Sequence, residues 1–176
     1  MTSMDLRSRD FGRDMLETLE ELERRCNIKL SMKQRLLLSE RGSLEQVLSI
    51  ITGNPIKVEV IGEKPEEPTA ITADVVMEGV EREVWLTDSS GELLYAKSIC
   101  NTSEMPLKIV DALLTRKPVR GGIGTILMQH NIETYRRIIG LGYDERRKTL
   151  YRKYEIVHGG KVWFTVFEEF SAQAFL

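Results

Sequence analysis

The chain has 176 residues, enough for one domain with a real core and too few for two comfortable ones. With 41% hydrophobic and 30% charged residues and a net charge of -2, it has the balance of a folded globular protein, and that charge gives no general attraction to nucleic acid or to membranes. The opening residues hold no apolar leader, and nothing approaches the roughly 20 apolar residues of a membrane span, so the expected location is the cytoplasm.

Phe11, Met15, Leu19 and Leu22 recur at helical spacing with Glu and Arg between them, which predicts an amphipathic helix. A second run, SMKQRLLLSERG, ends at Gly42. Ser43 followed by Gln46 is then the capping-box arrangement, and it predicts a short helix from about Leu44 to Ile51. At Pro55 the period changes. Ile56, Val58 and Val60 alternate with Lys57, Glu59 and Ile61 as in a strand, which the charged, proline-bearing EKPEEPT of residues 63–69 is expected to interrupt as a surface loop. REVWLTDSSGELLYAKSIC reads as a hairpin around DSSG, and residues near Pro106 to Leu114 as a helix. NIETYRRIIGLG suits a helix by the spacing of Ile132, Tyr135 and Ile139, and a strand by its β-branched content. YRKYEIVHGGKVWFTVFEEF closes the chain as a second hairpin around Gly159 and Gly160. Strands that arrive as hairpins, with helices gathered at the start and middle, predict α+β with an antiparallel sheet in a single domain over residues 1–176, residues 1–40 being a helical N-terminal segment.

Cys26 and Cys100 lack metal-ligand spacing, and with only His130 and His158 beside them no protein-built metal site is expected. RKPVRGGIGTILMQHNIET, residues 116–134, has three glycines in four positions behind Arg116, Lys117 and Arg120. It fits neither a Walker loop nor a dinucleotide loop. One reading of Gly121, Gly122 and Gly124 is a tight turn before a helix. The other is a set of helix-start N–H groups, opened to close approach by the glycines, that takes one small carboxylate. The Ser43 helix start offers the same device, so if both face one pocket the ligand is a small acid and not a nucleotide.

Arg82 falls on the same strand face as Val84 and Leu86, where a charge is costly unless paired; a snorkelling surface arginine is the alternative. In KVWFTVFEEF one of the adjacent acids Glu168 and Glu169 must point toward apolar neighbours and would need a partner, and alternation alone does not choose between them. The basic run of Arg146, Arg147, Lys148, Arg152 and Lys153 reads as a solvated face in a chain of this charge, with a patch for a nucleic-acid backbone as the weaker alternative. No covalent nucleophile or paired-carboxylate constellation stands out.

GSLEQVLSIITG, REVWLTDSSGELLYAKSI, GIGTILMQHNIET and RKYEIVHGGKVWFTVFEEF, in this order and spacing, resemble the chorismate pyruvate-lyase family, and more closely its microbial branch known as a domain of unknown function. The likeness runs from about Leu38 to Phe175. It implies a six-stranded antiparallel sheet with helices on one side, in which NIETYRR is a strand, and a carbon–oxygen lyase that converts chorismate to 4-hydroxybenzoate and pyruvate without a cofactor. It also implies that Arg82 grips the ring carboxylate of the ligand with the N–H groups of Leu44 and Ile123, that Gly124 belongs to the same ligand-binding helix start, and that Glu168 hydrogen-bonds the ring hydroxyl. Arg152 matches a basic position of the family and is counted with the substrate-binding residues on that ground, a surface role being the alternative. Where the family usually has Pro-Leu-Gly this chain has Gly122-Ile123-Gly124, which loosens the loop into a flexible lid. The longer N-terminal segment leaves room for a different lid or a homo-oligomer contact. A non-catalytic module of the same fold that binds a small carboxylate effector is the alternative function.

Overall fold

The computed structural model describes residues 2–5, 13–72, 75–114 and 122–176. In chain order the elements are β1 (Thr2–Asp5), α1 (Arg13–Cys26), α2 (Met32–Ser39), α3 (Leu44–Thr52), β2 (Lys57–Thr72), β3 (Val75–Asp88), β4 (Gly91–Asn101), α4 (Leu107–Leu114), α5 (Ile123–Gln129), β5 (Tyr135–Asp144), β6 (Thr149–His158) and β7 (Lys161–Ser171). Phe11, and Arg116, Lys117, Arg120 and Gly121 of the glycine loop, lie outside the described residues, as does the body of the expected lid.

The strands form one antiparallel sheet in the order β1-β5-β6-β7-β4-β3-β2. Six are the strands that the alternation and the resemblance anticipate. The seventh, β1, pairs with β5 from within the stretch read as helical; its four residues TSMD are too few to show a period. The ambiguous NIETYRRIIGLG resolves as β5, because pairing with both β1 and β6 outweighs its helical spacing. EKPEEPT is a correction: it is not a loop, since β2 runs unbroken through Pro65 and Pro68 along β3, with register shifts at Val60/Gly62 and Glu66/Thr69. β2 is the edge of the sheet, where a proline gives up no ladder bond on its open side.

Alternation in β4 buries Leu94, Ala96, Ser98 and Cys100. That face joins one core with Leu19 and Leu22 of α1, Leu37 and Leu38 of α2, Leu48 of α3, Ile109 of α4 and Ile126 of α5. The complete capping box sits at α2, where Ser31 accepts from Gln34 N–H and the Gln34 side chain accepts from Ser31 N–H; at α3 Ser43 accepts from Gln46 N–H in the expected half of the arrangement. Gln34 is itself buried, and its amide donates to the carbonyls of Ala172 and Ala174 at 2.9 and 3.0 Å, so it ties the end of the chain to α2 without leaving a buried polar group unmet.

Candidate functional site

Register across four strands sets the positions of the polar groups. One cross-strand row runs Arg82–Ser98–Val166–Tyr154, and the next runs Val84–Ala96–Glu168–Arg152. The β4 members of both rows, Ala96 and Ser98, are small. They leave a hollow between Arg82 on one side and Glu168 and Tyr154 on the other. Ser43, Leu44 and Glu45 at the start of α3 and Gly122, Ile123 and Gly124 at the start of α5 close over it, giving a cavity of about 60 Å³. A water needs about 10–15 Å³ of such space, so the cavity has room for about four to six waters, the scale of a small acid. A larger hollow of about 240 Å³ on the other side of the sheet, beside Trp163, has Glu155 as its charged member, and that acid already pairs with Arg137 at 2.6 Å. Volume alone does not pick the site; charge does.

Of the residues singled out in the sequence, Leu44, Arg82, Ile123, Gly124 and Glu168 all line the cavity. Leu44 and Ile123 are the first residues of their helices, so their N–H groups have no acceptor within the helix. Arg152 does not line it. Its guanidinium is 2% exposed and stands behind Glu168: Nε donates to Glu168 Oε2 at 2.6 Å, and Nη1 donates to the carbonyls of Leu37 and Glu40 at 2.7 and 2.6 Å. These are the last carbonyls of α2 and its cap, which a cation satisfies well. The expectation of a solvated basic face therefore holds for the exposed turn at Arg146 and Lys148 and for Lys153, and fails for Arg152. Position 152 shares its face with Leu150, Tyr154 and Ile156, a period-two signal that the surrounding positive charges obscure.

Glu168 and Glu169 are both buried, on opposite faces. Glu168 points into the cavity and accepts from Tyr154 Oη at 2.8 Å as well as from Arg152, whereas Glu169 pairs with Arg147 on the far side. Burial disfavours the charge on Arg152, yet the adjacent Glu168 carboxylate, with Tyr154 and Glu40, more than compensates and holds its pKa above the ordinary value. Burial likewise pushes the Tyr154 phenol well up, and the negative Glu168 adds to that, so Tyr154 is a neutral O–H donor.

Glu45, Arg136 and Tyr154 are among the lining residues that the sequence does not single out. Glu45 Oε1 accepts from Gly122 N–H at 2.5 Å, and Thr125 Oγ1 lies 3.4–3.5 Å from both carboxylate oxygens, so one side chain joins the two helix starts. A proline at 122 could not donate that bond. A Cβ there would meet Glu45 Oε1 at 2.6 Å, which makes glycine part of the contact. Arg82 and Ile123 also face a smaller, largely apolar hollow that contains Cys100. Burial pushes the Cys100 thiol up to about 12, with Arg82 offsetting it only in part, so it is an inert packing group and not a nucleophile.

An antiparallel α+β domain whose helix starts roof a charged cavity on the sheet defines a chorismate lyase-like class of protein. Residues 37–176 match the family described as chorismate pyruvate-lyase Rv2949c-like, and the chain belongs to that family. A comparison with curated proteins gives no match. Among solved structures, the effector domain of PhnF from Mycobacterium smegmatis is similar with a TM-score of 0.56 at 10% identity, over 76% of this chain and 90% of that one. A structure of PhnF from the same organism has a TM-score of 0.53 at 11% identity, over 74% of this chain and 64% of that one. YydK of Bacillus subtilis subsp. subtilis str. 168, described as a possible transcriptional regulator, has a TM-score of 0.50 at 16% identity, over 67% of this chain and 58% of that one. At these identities the likeness concerns the fold. Among the described residues no helix is long and apolar enough to cross a membrane.

Proposed function

We propose that this protein is a cytoplasmic, cofactor-independent lyase that eliminates pyruvate from chorismate to give 4-hydroxybenzoate. The observation that carries the reading is the convergence of Arg82, Glu168 and the starts of α3 and α5 on one cavity of small-acid size. Arg82 and the N–H groups of Leu44 and Ile123 hold the ring carboxylate, and the glycine at 124 keeps the helix start free of side-chain bulk. Glu168, fixed by Arg152 and Tyr154, accepts the hydrogen bond of the ring hydroxyl. The reaction asks little more of the protein. Loss of the proton from the hydroxyl-bearing ring carbon and rupture of the neighbouring ether C–O bond leave an aromatic ring, while the enolpyruvyl group departs with the electron pair and takes up a proton to become pyruvate. Aromatisation drives the step, so the contribution of the cavity is to hold the dianion in its reactive conformation and to stabilise the departing negative charge with preorganised donors.

A second reading is a non-catalytic effector-binding module, and it is favoured by the solved neighbours, an effector domain among them. Incubation of the folded protein with chorismate, followed by absorbance of 4-hydroxybenzoate, separates the two. Release above the spontaneous rate supports the lyase. Thermal stabilisation by 4-hydroxybenzoate with no such release supports the module and rejects the lyase.

A further inference from the structure

Arg82 is not the only cation of the cavity. Arg136 enters from β5, four strands away, about 19 Å across the backbone at about 4.8 Å per strand step. It continues a third cross-strand row, Cys100–Phe164–Ile156–Arg136, next to the row that begins with Arg82. Its Nη1 donates to the carbonyl of Arg41 at 2.9 Å, and its guanidinium carbon lies 5.8 Å from the centre of the Tyr154 ring. A Cβ on Gly124 would stand 2.9 Å from its Nη2, so the glycine keeps that edge of the guanidinium next to the start of α5. Among the described residues these partners are all neutral. The two acids of the cavity wall are otherwise engaged, Glu168 with Arg152 and Glu45 with Gly122 N–H and Thr125. The cavity thus presents two arginines, from opposite sides, to whatever it holds.

We infer that Arg136 is a specificity-determining residue that binds a second carboxylate, so that the site prefers a ring acid carrying an ether-linked carboxylate over the corresponding monocarboxylate. The inference rests on the reading of the cavity as a ring-acid site and assigns the second carboxylate of its ligand to Arg136. It also accounts for product release: cleavage removes the carboxylate held by Arg136 and leaves the monoacid with the contacts of its ring carboxylate and hydroxyl.

Arg136 also holds the Arg41 carbonyl, so a purely structural role must be separated from recognition, and ligand selectivity does this. Calorimetric titration of the intact protein with 4-hydroxybenzoate and with 3-(carboxymethoxy)-4-hydroxybenzoate, an unreactive ether diacid, compares the two ligand types. In the unsubstituted protein the diacid binds more tightly. Arg136→Gln is expected to weaken the diacid by about ten- to a hundredfold, the worth of a charge-assisted contact, while changing the monoacid by less than about threefold. Arg136→Lys, which keeps the charge, retains part of the preference, and Arg82→Gln weakens both ligands. Equal losses of both ligands in Arg136→Gln, or no loss of either, overturn the inference while leaving the ring-acid reading intact. Failure of the unsubstituted protein to bind either probe overturns the reading and the inference with it.

Discussion

Replacing Arg152 with methionine keeps most of the apolar stem and removes a charge that has three hydrogen-bond partners, two of them buried. Arg152 is 2% exposed and does not reach the cavity, so its charge has no water to fall back on, and Glu168, 4% exposed, meets only the space of the cavity. Deleting one member of a buried ion pair costs about 3–5 kcal/mol, because the remaining charge stays buried without compensation. Here the carbonyls of Leu37 and Glu40 lose their donor as well. For a domain of this size each kcal/mol lowers the melting midpoint by about 2–4 °C, so Arg152→Met should melt roughly 6–20 °C lower. Arg152→Met combined with Glu168→Leu removes both charges and should recover part of that loss, so that the double variant is more stable than the sum of the single effects by about 1–3 kcal/mol. Urea and thermal unfolding of the four proteins measure the cycle. A single-variant cost below about 1 kcal/mol, or strictly additive losses, would show that the pair does not hold this part of the structure, and with it the account of how Glu168 is positioned.

Other consequences are simpler to measure. Gly122→Pro removes the N–H that Glu45 accepts and should destabilise the protein by about 1 kcal/mol net, the lost charge-assisted bond outweighing the stiffening of the unfolded chain; in a Glu45→Ala background the same change should be neutral or stabilising. Gly124→Ala puts a methyl group 2.9 Å from Arg136 Nη2, and should weaken binding of the ether diacid more than that of 4-hydroxybenzoate in the same calorimetric titration. Cys100 titrates at about 12 in the fold against an ordinary 9.0, so the folded protein keeps a proton that the unfolded chain gives up; this contribution to stability is complete below pH 9 and is lost as pH rises from about 9 toward 12. At pH 8 a thiol alkylating reagent should therefore label the half-buried Cys26 first and Cys100 only on unfolding, read by mass spectrometry.

The two hairpins are legible because their turns carry local chemistry: Gly159 and Gly160 both have positive φ, 56° and 80°, which glycine adopts at no steric cost. Arg82 is legible because parity along one strand is a local property. Glu168 and Glu169 are not separable that way, since β7 buries residues on both faces, Trp163 as well as Phe164 and Glu169 as well as Glu168. What distinguishes them is register, which sets Arg152 opposite Glu168 from another strand. Arg136 is hidden for a related reason. A register shift between Ile138 and Gly140 breaks the alternation of β5, so its inward face cannot be counted along the sequence. EKPEEPT misleads because local composition favours a loop while a long partner strand imposes pairing on it. Across these cases, what is local in the site shows in the sequence, and what depends on the partner strand does not.

The most direct measurement is a crystal structure of the protein with 4-hydroxybenzoate. The ring is expected in the cavity over Ala96 and Ser98, its carboxylate within hydrogen-bond distance of Arg82 and of the N–H groups of Leu44 and Ile123, and its hydroxyl against Glu168. A ligand found in the hollow beside Trp163 or at the basic turn of Arg146 and Lys148, with the cavity holding only water, would contradict it.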